Sequence, residues 1–164
     1  ATYQVQQGGA QVIQLFDSWA GWLDRSEFES WAFRYQKELV ARLKKRIPTV
    51  PLIIYMAPLA KSRNGAYLDL MAATGVDVIS IDHTIDIEEA RARLDAAGYP
   101  TTVLQGNLDP AVLTEGPIET MQEKTVDILS KATAAKSRSK TLPFQGHIMN
   151  LGHGIDKDTP ESHA

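Results

Sequence analysis

The sequence predicts an α/β fold built on a parallel sheet. Five short runs of β-branched and apolar residues recur with starts about 25 to 45 residues apart, a spacing for strand–helix units rather than hairpins. The stretches between them repeat apolar residues at helical intervals and carry helix start and stop residues. Polar side chains gather directly after four of the five runs, where parallel α/β folds place reactive groups.

The first strand is expected from Gln11 to Phe16, with a loop through Gly21. Ser26 and Glu29 have the spacing of a capping box. Behind them Phe28, Trp31, Ala32, Tyr35, Leu39 and Leu43 read as one apolar stripe. Lys44, Lys45 and Arg46 suit the last turn of that helix, and Pro48 stops it. Val50 to Tyr55 reads as a buried strand with Pro51 at its start, where a missing N–H is tolerated. Asn64 and Gly65 signal a turn before a short helix through Leu68 and Met71, ending near Gly75. Val76 to Ile81 is the third strand, and a helix from Ile87 through Ala90 and Leu94 ends at Gly98. Thr101 to Gln105 is the fourth strand. A helix opening at Pro117 continues past Met121 and Ile128. The stretch from Lys131 to Pro143, with Lys136, Arg138 and Lys140, reads as a flexible basic loop. His147 to Leu151 is the fifth strand, and Thr159, Pro160 and Glu161 have the look of another helix start.

Composition narrows the function. The chain has 164 residues, 43% hydrophobic and 23% charged, with net charge -3, the balance of a globular domain without a broad footprint for nucleic acid. There is no cysteine, which removes disulfides, thiolate metal sites and cysteine nucleophiles. The apolar run from Val50 to Ala60 contains two prolines and is too short to span a bilayer. Residues Ala1 to Gly9 have no basic region followed by an apolar stretch, so secretion is not expected. His147 and His153 have no third ligand at a recognisable spacing, so no metal site is expected.

A parallel βα sheet is either doubly wound or closed as a barrel, and a closed eight-unit barrel typically needs about 250 residues. The strand-end segments bear on that choice. Leu15 to Gly21, Leu104 to Pro110 and Asn150 to Gly154 resemble three signature stretches of the uroporphyrinogen decarboxylase family, in the family's order and at broadly its spacing. The resemblance implies a partial TIM (β/α)8 barrel, with about five parallel βα units completed by missing or partner segments. Residues 1–164 would form the C-terminal part of one barrel domain, with the N-terminal strands and the final helix absent. The implied activity is cofactor-free decarboxylation of the acetate side chains of uroporphyrinogen to coproporphyrinogen, in haem and chlorophyll biosynthesis. The implied compartment is cytoplasm or plastid, and the implied assembly a homodimer or larger.

Such chemistry needs a proton donor, a carboxylate for the pyrrole N–H groups, and neutral or cationic donors for the substrate carboxylates. The family's acidic and basic catalytic groups belong to its first half, so the resemblance places no catalytic residue in this chain. It carries Ser18 and His153 as substrate-binding positions. Read on its own, Ser18 is equally a turn-former bonding its own backbone. His153 lies between Gly152 and Gly154, where backbone can approach a ligand closely. Asn107 and Asp109 are expected to hold the loop before Pro110, with Gln105 beside them, and Asp17 to make a structural hydrogen bond. Trp19, Trp22 and Trp31 are expected in core and rim packing.

Two differences from the family lie at the strand ends. The loop from Met56 to Asn64 is longer than usual, and Asp82-His83 stands where members commonly have Asp-Trp. A non-catalytic structural subunit built from half a barrel is the alternative reading; its motive is the unpaired edges such a piece would expose. Related zinc methyltransferases generally use thiolate ligands, and the absence of cysteine opposes them.

Overall fold

A computed structural model describes residues 1–59, 61–137 and 146–163, the side chains of 134–137 excepted. Five strands form where the apolar runs were expected, each trimmed to its best-paired residues: β1 (Ile13–Phe16), β2 (Leu52–Tyr55), β3 (Val78–Ser80), β4 (Val103–Gln105) and β5 (His147–Ile148). All neighbours pair in parallel, in the order β1-β2-β3-β4-β5. That order decides between the two architectures. A doubly wound sheet reverses its strand order at a switch point, whereas an unbroken sequential order is the arc of a barrel.

The register aligns Leu15, Ile54, Ile79, Leu104 and His147 on one face and Phe16, Tyr55, Ser80, Gln105 and Ile148 on the other. The first face packs on the helices: Leu52, Ile54 and Ile79 join Phe28, Val40 and Leu94 in the main core. On the second face, Gln105 Nε2 donates to Gln14 Oε1 at 3.3 Å and to Ser80 Oγ at 3.1 Å. In a flat sheet β1 and β4 would stand about 14 Å apart, three strand spacings of about 4.8 Å each. The Gln14–Gln105 bond therefore records a sheet curled onto its own concave side, with Ile53 and Val78 buried there.

The helices are α1 (Thr2–Gln6), α2 (Arg25–Glu27), α3 (Arg34–Arg46), α4 (Leu68–Ala73), α5 (Ile87–Ala96), α6 (Ala111–Glu115) and α7 (Ile118–Ser137). A π-helical stretch, Phe28–Phe33, joins α2 to α3. α4 packs on α5, α5 on α7 and α6 on α7, a succession of outer helices around the arc. None among the described residues is long and apolar enough to cross a membrane.

Several expectations need correction. The capping box is formed by Asp24 and Glu27, each side chain accepting from the other's backbone N–H at 2.9 Å; Ser26 Oγ only donates to Asp24 Oδ1. The apolar stripe splits. Phe28, Ala32 and Leu43 are buried with Gln36 and Val40, whereas Trp31 (69% exposed), Tyr35 (52%) and Leu39 (45%) face outward. The wide π turn changes the angular step between residues, so one 3.6-residue template cannot place both ends of the stripe. Trp19 and Trp22 are exposed as well, so none of the three tryptophans is core. The basic stretch is not all loop, because α7 runs through Ser137; residues 138–143 lie outside the described residues. Glu161–His163 forms a single 3-10 turn.

Asp86 caps α5, accepting from Glu88 N at 2.8 Å, and pairs with Lys131 at 2.9 Å. Burial pushes its carboxyl up, but the Lys131 ammonium and the α5 N–H groups outweigh burial and hold it below the ordinary 3.8. A folded value below the unfolded one contributes stability that is whole above the ordinary carboxylate range and is lost as pH falls through the folded value. Acid unfolding followed by circular dichroism should therefore show a shallower loss below about pH 5 in Asp86→Asn, which keeps an acceptor but cannot ionise. Identical acid limbs would remove Asp86 from that account.

Candidate functional site

The polar segments expected at the strand ends all emerge on one side of the sheet, and each is tied to the next. After β1, Asp17 N continues the ladder to Tyr55 O at 2.9 Å, and Asp17 Oδ2 accepts from Gln36 Nε2 at 2.8 Å. This is the structural bond expected of Asp17. Ser18 follows, half-buried, in the turn before Ala20–Trp22. No hydrogen bond of its hydroxyl is formed among the described residues.

Gly21 brings this loop against the one after β2. A Cβ there would lie 2.3 Å from Ser62 Oγ and 2.6 Å from Ala57 O, so only a residue without a side chain permits the contact. Lys61 N donates to Gly21 O at 3.0 Å across the same junction. Buried Ser62 closes its own loop, donating to Ala57 O at 2.6 Å and accepting from Leu59 N at 2.9 Å.

The β2 loop is tied onward to the β3 loop. Asn64 N donates to Thr84 Oγ1 at 2.7 Å, and Asp82 Oδ1 accepts from Thr84 N at 2.7 Å and from the Thr84 hydroxyl. Burial, with the nearby Asp82 carboxylate second, pushes the Tyr55 phenol up to about 12. The group stays a neutral donor in any ordinary medium, and its Oη lies 3.5 Å from Gly152 O.

After β4, buried Asn107 donates through Nδ2 to Asp82 O at 2.9 Å and Ile85 O at 2.6 Å. Asp109 Oδ1 accepts from Ala111 N at 3.0 Å. Both therefore hold loops, as expected. Gln105 belongs to the concave face rather than to the loop.

The β5 segment is fastened to β4 by Gly106 N to Ile148 O at 2.9 Å, Leu108 N to Asn150 O at 3.1 Å and Gly152 N to Leu108 O at 2.7 Å. His147 uses its ring on Gly106 O at 2.6 Å. Gly152 then abuts the β3 loop: a Cβ would fall 2.3 Å from His83 N. His153 follows and is exposed. It borders a cavity of about 440 Å³ together with His83, Asp109, Glu115, Asp156 and Lys157.

The five strand ends thus form one bonded rim. Ser18 stands at its β1 end and His153 at its β5 end, on the two edge strands. The rim brings them to the same side of the sheet but does not make them neighbours, and the cavity at His153 is not lined by Ser18. Tyr55 and His83 stand at this rim without having been among the expected site residues. The register would have exposed Tyr55, since it shares a face with Gln105; His83 showed only as a departure from a family pattern.

Comparison with known proteins identifies the arrangement. The family model described as Uroporphyrinogen decarboxylase (URO-D) matches residues 1–164. A protein named uroporphyrinogen decarboxylase from Synechococcus sp. (strain JA-2-3B'a(2-13)) is 44% identical over 162 residues, covering 99% of this chain and 40% of its own length. Those of the same name from Trichodesmium erythraeum (strain IMS101) and Thermosynechococcus vestitus (strain NIES-2133 / IAM M-273 / BP-1) are 40% and 39% identical, over 100% and 95% of this chain. In each case the chain spans about 40% of the relative's length. With the family model matched from end to end and the strand order of a barrel arc, the chain belongs to the uroporphyrinogen decarboxylase family.

Proposed function

We propose that this chain is the C-terminal part of a (β/α)8-barrel uroporphyrinogen decarboxylase, converting the acetate arms of uroporphyrinogen to the methyl groups of coproporphyrinogen. The observation that carries the reading is the family match over residues 1–164, together with the single rim that holds the Ser18 and His153 segments on one side of the sheet.

The reaction must dispose of an electron pair as carbon dioxide leaves. Protonation of the pyrrole ring on carbon creates the cation that accepts it, so no metal or organic cofactor enters the proposed chemistry. This chain's part is binding. Ser18 offers a hydroxyl and His153 an imidazole to substrate carboxylates, on loops whose backbones are fixed by neighbouring loops. Phe16 and Ile148, on the edge strands, are exposed, which supports completion of the barrel by further segments of the polypeptide or by a partner chain. A homodimer or larger assembly, in cytoplasm or plastid, accompanies the reading.

Two measurements test the proposal. The native polypeptide should have an intact mass well above 18.1 kDa and should release coproporphyrinogen from uroporphyrinogen, scored after oxidation by chromatography. The 164-residue chain alone should release none. A native mass near 18.1 kDa without product would favour the structural-subunit reading; turnover by the isolated chain would show that its own residues carry the catalytic groups.

A further inference from the structure

We propose that His83 is a second imidazole contact for the substrate, donating an Nε2–H hydrogen bond to a carboxylate arm in the cavity it borders with His153. The inference rests on the decarboxylase reading and extends it to a residue that none of the three resembling stretches includes.

Geometry comes first. His83 lines the cavity of about 440 Å³ beside His153, and a second of about 300 Å³ between the β3 loop, the β4 loop and α7. His83 therefore borders two open spaces. Its backbone cannot retreat, because Gly152 presses on it from one side and the Asp82–Thr84 turn closes on the other. Such fixed placement is what a binding group requires.

The ring's own hydrogen bonding selects its role. Nδ1 is sealed from solvent with no partner among the described residues. A structural imidazole at that depth would satisfy Nδ1 with a protein acceptor or donor. An orphaned buried N–H is also costlier and rarer than an orphaned lone pair. The neutral ring is thus best served with Nδ1 bare and the proton on Nε2, which makes Nε2 a donor. With Nδ1 closed off, Nε2 is the nitrogen left to serve a ligand in the cavity that His83 borders.

Donors and carboxylates share the lining of this cavity, Glu115 being the third acid beside Asp109 and Asp156. Asp109 and Asp156 each commit an oxygen to a backbone N–H of their own turns, Ala111 at 3.0 Å and Asp158 at 2.8 Å. His153 and Lys157 supply further donors on the same wall. Two imidazoles and an ammonium put three donors for one anionic arm in the same lining.

The test uses uroporphyrin, the stable oxidised relative of the proposed substrate, titrated into the native polypeptide by fluorescence. Glutamine places an amide N–H where Nε2–H stood, whereas asparagine reaches only the Nδ1 position. His83→Gln should bind within about threefold of wild type and His83→Asn about tenfold more weakly. A merely structural role would not produce that order. Histidine-labelled wild-type protein supplies a readout that needs no variant: the ¹⁵N spectrum should show His83 as the Nε2–H tautomer, and uroporphyrin should shift His83 and His153 together. A shift of His153 alone, or equal affinity in His83→Asn and His83→Gln, would overturn the inference and leave the decarboxylase reading standing. If neither histidine moved, both would fall.

Discussion

Replacing His153 with alanine in the native polypeptide is expected to lower turnover of uroporphyrinogen about 100-fold and to leave the melting temperature within about 2 °C of wild type. The two halves of that expectation have separate causes. His153 is exposed and lies outside both apolar clusters, so its removal opens no cavity and strands no buried partner. On the proposed reading its imidazole donates to a substrate carboxylate, and loss of one placed donor costs about 3 kcal/mol of transition-state stabilisation. Steady-state product formation beside a thermal melt measures both. Unchanged kinetics would remove His153 from the site; a large fall in melting temperature would recast it as a structural residue.

The second large effect is expected at its neighbour. Gly152→Ala should destabilise the fold by about 2 kcal/mol, lowering the melting temperature by about 4–8 °C, and should abolish binding of uroporphyrin at the same time. The added methyl would stand 2.3 Å from His83 N, 2.8 Å from His83 Cβ and 2.9 Å from His83 Cα. Two of those three atoms are backbone, so no rotamer change relieves the clash. Either the Asp82–Thr84 turn opens or the β5 loop lifts, and each carries an imidazole away from its place. Gly154→Ala is the control, because a Cβ at Gly154 meets nothing within 4 Å. Equal melting temperatures for the two variants would show that the rim yields more readily than its contacts imply.

Those two glycines separate what could be read along the chain from what could not. Residues 152 and 154 are chemically identical and sit symmetrically about His153, yet one is locked against a neighbouring loop and the other is open. Nothing local distinguishes them. Asp109 was legible as a loop-holding group because an Asx side chain at a strand end bonds nearby backbone whatever the tertiary setting; for Asp17 a structural bond was legible but its partner, the distant Gln36 side chain, was not. Which carbonyls Asn107 would reach, those of Asp82 and Ile85 on a different loop, was not legible. The helix from Phe28 onward shows the same limit: its apolar residues were evident, but the π turn redirected Trp31, Tyr35 and Leu39 outward.

The sequence by itself determined the five strands, most of the helices between them, the parallel βα class and the stretches that meet at the strand ends. These follow from short-range physics: side-chain periodicity, caps and turn residues act within a few positions of themselves. Only the tertiary structure decided the rest. Periodicity left the barrel and the doubly wound sheet both open and the family resemblance implied the barrel; strand order supplies the physical decision, and curvature joined Gln14 to Gln105 across two intervening strands. Folding also set His83 beside His153 at a shared cavity. Each depends on contacts between residues far apart in the chain, and those distances are fixed only when the sheet curls and its loops close on one another.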